Sequence, residues 1–269
     1  VEASIKKCSK GNFSSSWFRF KRVIYAIYIR LLQQQLKGNY LIFIWLLLEP
    51  LMMIILFTAL HTVMMSRVKY NYDIVIFLGS GFIPFFLFRT LYNTSLGIFK
   101  QHQSLFYLRQ IKPIDIFLAN IFFETSRYAI VTIVLLLIGW LIGIDIVPED
   151  IDAFMVGVLW LTLFGASWGL LLGVLGFFYD GIQKFVRFLS LPLLILSAVF
   201  YTVSSVPPNI REYLLYNPLV HFMELIHASY IRSLDYRYVD FLYMVEWTII
   251  PLFLGLWLYK KSEKRFISK

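Results

Sequence analysis

From Tyr40 to Met65 the chain runs for 26 residues without a lysine or an arginine. A helix needs about 20 apolar residues to cross the hydrocarbon core of a bilayer, so this stretch is long enough to span it. Ahead of it, Arg19, Arg22, Arg30, Gln33 and Lys37 recur at steps of three and four, with Ala26 filling the gap between Arg22 and Arg30. Trp17, Phe20, Ile24, Ile27 and Leu31 repeat the same steps on another face. That two-faced pattern describes a helix lying on a membrane surface, its cations toward anionic headgroups and its apolar side in lipid. Within the apolar run, Glu49 precedes Pro50. A carboxylate there is costly in hydrocarbon, and such groups are paired or functional.

Composition agrees with a membrane class. The chain is 59% hydrophobic and 15% charged, where soluble domains average about 25% charged residues. The formal charge of +9 does not point to nucleic acid, because the cations cluster at the ends of apolar runs, where membrane orientation needs them. A single cysteine, Cys8, excludes an intrachain disulfide. The histidines His61, His102, His221 and His227 lack metal-ligand spacing, so no metal site is expected. The first 16 residues are polar and lack an apolar core, so the first span is expected to serve for insertion in place of a signal peptide.

Six crossings are expected, at about 40–64, 74–98, 114–144, 153–178, 186–204 and 241–259, preceded by a cytoplasmic region and interfacial helix over 1–39. The fold class is therefore all-α integral membrane protein, with the transmembrane domain occupying 40–269. The third span is over-long and is expected to tilt or to begin at the interface. Pro84 and Pro192 are expected to kink the second and fifth spans. Val206 to Arg237, with Pro207-Pro208 and Asn217-Pro218, is too polar and broken to cross and reads as a pair of short re-entrant or interfacial helices, with Asn217-Pro218 as the turn between them. With both termini inside, the inner segments carry eighteen Lys and Arg and the outer ones five, an orientation signal that also argues against a seventh crossing.

Four charged residues, Glu49, Arg89, Glu124 and Arg127, fall well inside the first three spans. Counting about 1.5 Å per residue from the cytoplasmic ends puts Glu49, Arg89 and Glu124 roughly 14 to 16 Å deep, with Arg127 one turn beyond. Glu124 and Arg127 share a face at i,i+3. Two readings stand: an ion-pair network holding spans one to three together, or arginines lining a conduit and meeting an anionic cargo or a lipid phosphate. Aromatics make up 19% of the chain, mostly as interfacial belts and packing. Trp45, Phe88 and Tyr92 are the candidates for aromatic faces along a conduit. Gly165, Gly169 and Gly173 offer a close-packing face in the fourth span, expected within the subunit. The inner segment Lys100 to Lys112 places Gln101, Ser104, Leu105, Leu108 and Arg109 at steps of one, three and four. A helix along it would be apolar on one face and cationic at the edge, and could sit in a groove of a partner protein. No P-loop occurs, so any ATP must be bound by another chain. No serine, cysteine or paired-carboxylate constellation supports catalysis.

Three segments carry a resemblance: Trp45-Leu-Leu-Leu-Glu49-Pro50 after the basic helix, Ser104-Leu-Phe-Tyr-Leu-Arg-Gln-Ile-Lys-Pro113 opening the third span, and Pro208-Asn-Ile-Arg-Glu-Tyr-Leu-Leu-Tyr-Asn217-Pro218-Leu late in the chain. In order and spacing the chain resembles the membrane subunits of ABC exporters that move long polysaccharides out of Gram-negative cells, above all the KpsM-type capsular polysaccharide family. The resemblance covers nearly the whole chain. It implies a non-enzymatic permease in the bacterial inner membrane, paired with a second copy of itself. It also implies a separate cytoplasmic ATPase that binds ATP and Mg, a periplasmic polysaccharide co-polymerase, and a lipid-linked polysaccharide as cargo. It gives the Lys100–Lys112 segment the role of coupling to the ATPase. Export of O-antigen or teichoic acid, and a membrane-embedded glycosyltransferase, remain the alternatives. The short, basic inner loops offer no donor-nucleotide site for the last.

Overall fold

A computed structural model describes residues 13–38, 41–64, 72–107, 111–144 and 147–268. Among them the chain is helical throughout, with no strand: α1 (Phe13–Gly38), α2 (Leu41–Met64), α3 (Ile74–Gln101), α4 (Pro113–Ile142), α5 (Ile151–Phe178), α6 (Asp180–Leu196), α7 (Pro208–Leu214), α8 (Pro218–Tyr230) and α9 (Phe241–Ser268). Among the described residues four helices are long and apolar enough to cross a membrane: α3, α4, α5 and the Phe241–Glu263 part of α9. The apolar part of α2 that qualifies is shorter, Leu47–Val63. The 17 residues of α6 reach about 26 Å, short of the roughly 30 Å hydrocarbon core.

Local chemistry sets the helix ends. Asp73 caps α3 by accepting from Val75 N–H at 2.7 Å. Pro113 opens α4 at a position where the missing N–H costs nothing, and Asp115 Oδ2 accepts from Lys112 N–H at 2.9 Å. Gly143 closes α4 in the left-handed conformation, φ 86°, which glycine adopts without strain. The fifth span departs from the sequence expectation. Its helix begins at Asp180, after only Tyr179 separates it from α5, and ends at Leu196 where 204 was expected. The early end has a long-range cause: Asn217 Nδ2 donates to the Leu196 carbonyl at 2.8 Å, and Ala198 then turns the chain at φ 56°. The same Asn217 caps α8, its Oδ1 accepting from Leu219 N–H at 3.1 Å. The segment expected to form two short helices holds α7 and α8. Pro84 and Pro192 lie inside continuous helices.

At the centre stands α3, buried along most of its length. Its nearest neighbour is α5, brought close by the expected glycine face. A Cβ on Gly165, Gly169 or Gly173 would press into Leu91 or Ser95 of α3, so this face packs within the subunit. Phe88 of α3 stacks on Phe164 of α5 at 5.3 Å, and Phe164 on Phe222 of α8 at 4.8 Å. A second core gathers at the end of the bundle that carries the α3–α4 connection. There Phe266 of α9 meets Phe99, Phe177 and Tyr259 at centroid distances of 4.6 to 5.9 Å. Helix α1 packs on α4 at this end. Ile27 is buried in the second core and Tyr28 meets Phe123 edge-on at 5.7 Å, while Trp17, Phe18 and Tyr25 stay exposed. The apolar side expected to face lipid is thus divided between protein and surroundings.

Candidate functional site

Charged groups in the apolar interior form two pairs. Arg89 Nη2 on α3 donates to Glu49 Oε1 on α2 at 2.9 Å, both side chains 31% exposed. Arg127 Nη2 lies 2.7 Å from Glu124 Oε2, within one turn of α4. The second contact is an ion pair by distance, yet it is not aligned as a hydrogen bond, and Arg127 Nε is buried without an acceptor. Ring faces supply part of the difference: Arg127 lies about 6 Å from Phe123 and Tyr128, and Arg89 lies 5.2 Å from Phe86. Tyr128 Oη shares a 2.9 Å hydrogen bond with Thr90, one residue along from Arg89. The pairs therefore belong to one polar seam across α2, α3 and α4. Taking one partner away leaves the other charge partly desolvated.

The three aromatic candidates separate. Trp45 is 67% exposed on α2. Phe88 and Tyr92 are buried in the core, Tyr92 Oη sharing a 2.6 Å hydrogen bond with Ser190 of α6. Neither reaches an open surface of this subunit.

Beside the polar seam a cavity of about 860 Å³ opens between α1, α3, α4 and α6. Arg30, Arg89 and Arg187 line it together with amides and hydroxyls, among them Gln35, Asn93 and Ser190. Sequence reasoning noted Arg30 only as a headgroup contact and Arg187 only as a topology marker. The spacing of Arg30 and Gln34 at i,i+4 on the polar face of α1 was the available signal, but nothing in the sequence brings α6 beside α1. Among the described residues no group of three His, Cys, Asp or Glu side chains is arranged to hold a metal ion.

The segment after α3 forms a short 3₁₀ turn, Gln103–Tyr107. Gln101 and Ser104 are exposed at the wall of the same cavity, whereas Leu105 and Phe106 turn into the second core. Leu105 thus braces the turn, and the exposed edge is polar. Leu108 and Arg109 lie outside the described residues. Tyr259 of α9 ties in the start of α4, its Oη accepting from Ile114 N–H at 3.3 Å.

At the opposite end of the bundle, Arg211 of α7 gathers the segment between α6 and α9. Its guanidinium donates to the carbonyls of Val203, Ser204 and Val206 and to Tyr238 Oη, at 2.8 to 3.1 Å. Glu224 of α8 accepts from Val203 N–H at 2.6 Å, and burial pushes its carboxyl up to about 7. His221 bridges the Leu215 carbonyl and Asp240 N–H.

Residues 22–231 match the ABC-2 type transporter family. Over 257 residues the chain is 31% identical to the polysialic acid transport protein KpsM of Escherichia coli, covering 94% of this chain and 98% of that protein. It is 26% identical to the capsule polysaccharide export inner-membrane protein CtrC of Neisseria meningitidis serogroup B, covering 97% and 98%. A third relative, the capsule polysaccharide export inner-membrane protein BexB of Haemophilus influenzae, is 24% identical with 90% and 92% covered.

Proposed function

This chain belongs to the ABC-2 type transporter family, and from that premise we propose that it is the permease subunit of an ATP-driven exporter carrying lipid-linked capsular polysaccharide across the bacterial inner membrane. The observation that carries the proposal is the end-to-end similarity to capsule exporters, 94% of this chain against 98% of the first relative. All three relatives are polysaccharide or polysialic acid transport proteins by name, which favours capsule over O-antigen or teichoic acid. The chain is a transport subunit, and ATP with Mg is bound and hydrolysed by a separate subunit.

The finer architecture follows from the charge pattern. Residues 1–39 form the cytoplasmic and interfacial part and 40–269 the membrane domain, with six crossings and both termini cytoplasmic. In this reading α2 and α6 complete the crossings, their short apolar lengths extended by neighbours in a dimer and by local thinning of the bilayer. A second copy closes the conduit, and a periplasmic co-polymerase receives the chain beyond α7 and α8. The seam of Glu49, Arg89, Glu124 and Arg127 sets the relative positions of α2, α3 and α4. The exposed edge at Gln101 and Ser104 meets the ATPase, and its motion enters the bundle through Leu105 and the ring cluster around Phe266. Deleting the gene in its host and complementing it tests the function. The expected result is polymer trapped in the cytoplasm without this chain and surface capsule restored with it. Surface capsule unchanged by the deletion would refute the proposal.

A further inference from the structure

We infer that the exposed face of α9 centred on Glu246 docks against a membrane-crossing helix of another protein, one that carries a lysine or arginine near its middle. The inference goes beyond the exporter reading and does not depend on it, since it rests on α9 and its neighbours alone.

Packing against α5 fixes the depth of Glu246. The two helices run side by side in the same direction. A Cβ on Gly255 would lie 3.0 Å from the Leu171 nitrogen. Nearer their other ends, Trp160 Nε1 donates to Thr248 Oγ1 at 3.2 Å, and Trp160 stacks on Phe241. Counting back equally along both helices from Gly255 and Leu171 sets Glu246 level with Thr162. At about 1.5 Å per residue, that is about 16 Å from the Ile151 end of α5 and about 24 Å from its Phe178 end. With α5 centred on a hydrocarbon core of about 30 Å, the carboxylate lies about 10 Å inside the nearer boundary.

Glu246 is exposed, and Leu242, Val245, Ile249 and Phe253 share its exposed face. These residues recur at steps of three and four, so they form one stripe with the carboxylate in its middle. The other face of α9 turns Trp247, Thr248 and Gly255 into the bundle. Among the described residues Glu246 accepts no hydrogen bond and forms no ion pair. Carboxylates within a membrane are costly, and they face a bundle interior or a pairing group. Glutamate is also shorter than the lysine and arginine side chains that snorkel to the interface.

An apolar stripe with one carboxylate is matched by an apolar helix with one cation, because each charge offsets the desolvation the other would bear alone. A second copy of this chain does not supply that cation. Among the described residues the arginines deep in the long membrane helices are taken, Arg89 by Glu49 and Arg127 by Glu124. Arg187 stands about 10 Å from the Asp180 end of α6, against about 24 Å for Glu246 from the adjoining end of α5. A symmetric neighbour in the same membrane keeps those heights apart. A cytoplasmic ATPase does not reach this depth, and lipid head groups lie at the boundary.

A synthetic helix of about 20 leucines with one central lysine serves as a defined probe. Energy transfer from the full chain, reconstituted in phosphatidylcholine vesicles, reads binding. The lysine helix should bind about tenfold more tightly than an all-leucine helix or one with a central glutamine. Glu246→Gln should remove that preference, Glu149→Gln should keep it, and Glu246→Lys should transfer it to a helix with a central glutamate. Melting midpoints in detergent verify that the variants fold. Equal binding of the lysine and leucine helices, equal binding of the lysine and glutamine helices, or an undiminished preference in Glu246→Gln would overturn the proposal. A photocrosslinker at Ile249 in host membranes then reads the natural occupant. The expected adduct is a different membrane chain, joined through a segment that carries a lysine or arginine. Exchanging that cation for glutamate should abolish the adduct with wild type and restore it with Glu246→Lys. An adduct with a second copy of this chain, or with lipid alone, would overturn the proposal. Neither measurement reads export, so their failure would leave the exporter reading untouched.

Discussion

Replacing Gly173 with alanine would drive a methyl group into the backbone of α3. An ideal Cβ at this position lies 2.7 Å from the Ser95 carbonyl oxygen and 3.3 Å from Phe99 Cε2, where ordinary contact begins near 3.4 Å. The obstacle is main chain, so no side-chain rotation relieves it and α3 and α5 must part locally by about 0.7 Å. A gap of about 0.5–1 Å forfeits a quarter to a half of each dispersion contact it opens, and overpacking of a tight core costs roughly 1–3 kcal/mol. Against this stands the better helix propensity of alanine, at most about 1 kcal/mol. Gly181 isolates that gain, since a Cβ there meets nothing within 4 Å. The difference between Gly173→Ala and Gly181→Ala should therefore be roughly 1–3 kcal/mol, or about 2–10 °C in melting midpoint for a chain of this size. Fluorescence-detected size exclusion after a heating series gives the midpoints. Gly169 provides the internal check, because its nearest obstacle is Ser95 Oγ at 2.7 Å. Ser95→Ala should recover part of the loss in Gly169→Ala and none of it in Gly173→Ala. Equal midpoints for Gly173→Ala and Gly181→Ala, or equal rescue of both by Ser95→Ala, would refute the reasoning.

Glu49→Ala and Arg89→Ala should each lower stability by roughly 2–3 kcal/mol, below the cost of a fully buried pair because both groups are partly exposed, and the double variant should lose less than the two together; strict additivity of the midpoints would deny the pairing. Phe266→Ala should cost about 3–5 kcal/mol and Phe266→Leu much less, while a photocrosslinker at Gln101 or Ser104 should capture the ATPase in membranes; capture of lipid alone at both positions would remove this edge from the coupling route. In a background lacking Cys8, cysteines at Asp150 and Asn209 should react with an impermeant thiol reagent from outside and those at Gln103 and Ser268 should not; outside labelling of Ser268 would overturn the six-crossing topology. Glu224 has a folded-state pKa above its unfolded value of 4.5, so its neutral form favours the fold: the contribution is present below about pH 4.5 and is lost as pH rises through about 7, up to about 3 kcal/mol. Glu224→Gln should flatten that part of the pH–stability profile measured in detergent, and an unchanged slope would contradict the assignment.

The helices α2 to α5 begin and end within a few residues of the first four apolar runs, because long hydropathic stretches with few charges announce helices of that length. The fifth was misplaced because its end is fixed by Asn217, a residue distant in sequence, and no local pattern announces it. Depth arithmetic put Glu49 and Arg89 at one height, where they meet. Height does not give direction, however. Phe88 and Tyr92 lie at the same level but point into the packing against α5 and α6, and Leu105 turns inward where an amphipathic reading had it facing a partner. The cavity was invisible for a stronger reason: Arg30 and Arg187 come to line one hollow only when α1 packs on α4 and faces α6 across it, an arrangement that no spacing in the chain encodes.

Asn217 joins the end of α6 to the start of α8 through a single side-chain amide, and the residue after it decides how that joint ages. Asparagine is converted spontaneously to aspartate when the next backbone nitrogen attacks the side-chain carbonyl and closes a succinimide ring. Here the next residue is Pro218, whose nitrogen bears no hydrogen, so the ring cannot form by that route. Conversion to aspartate would keep the α8 cap while replacing the donor to Leu196 with a charge facing a carbonyl. The chain therefore carries, at the one amide that couples these two helices, a sequence context that blocks the commonest chemical clock acting on asparagine.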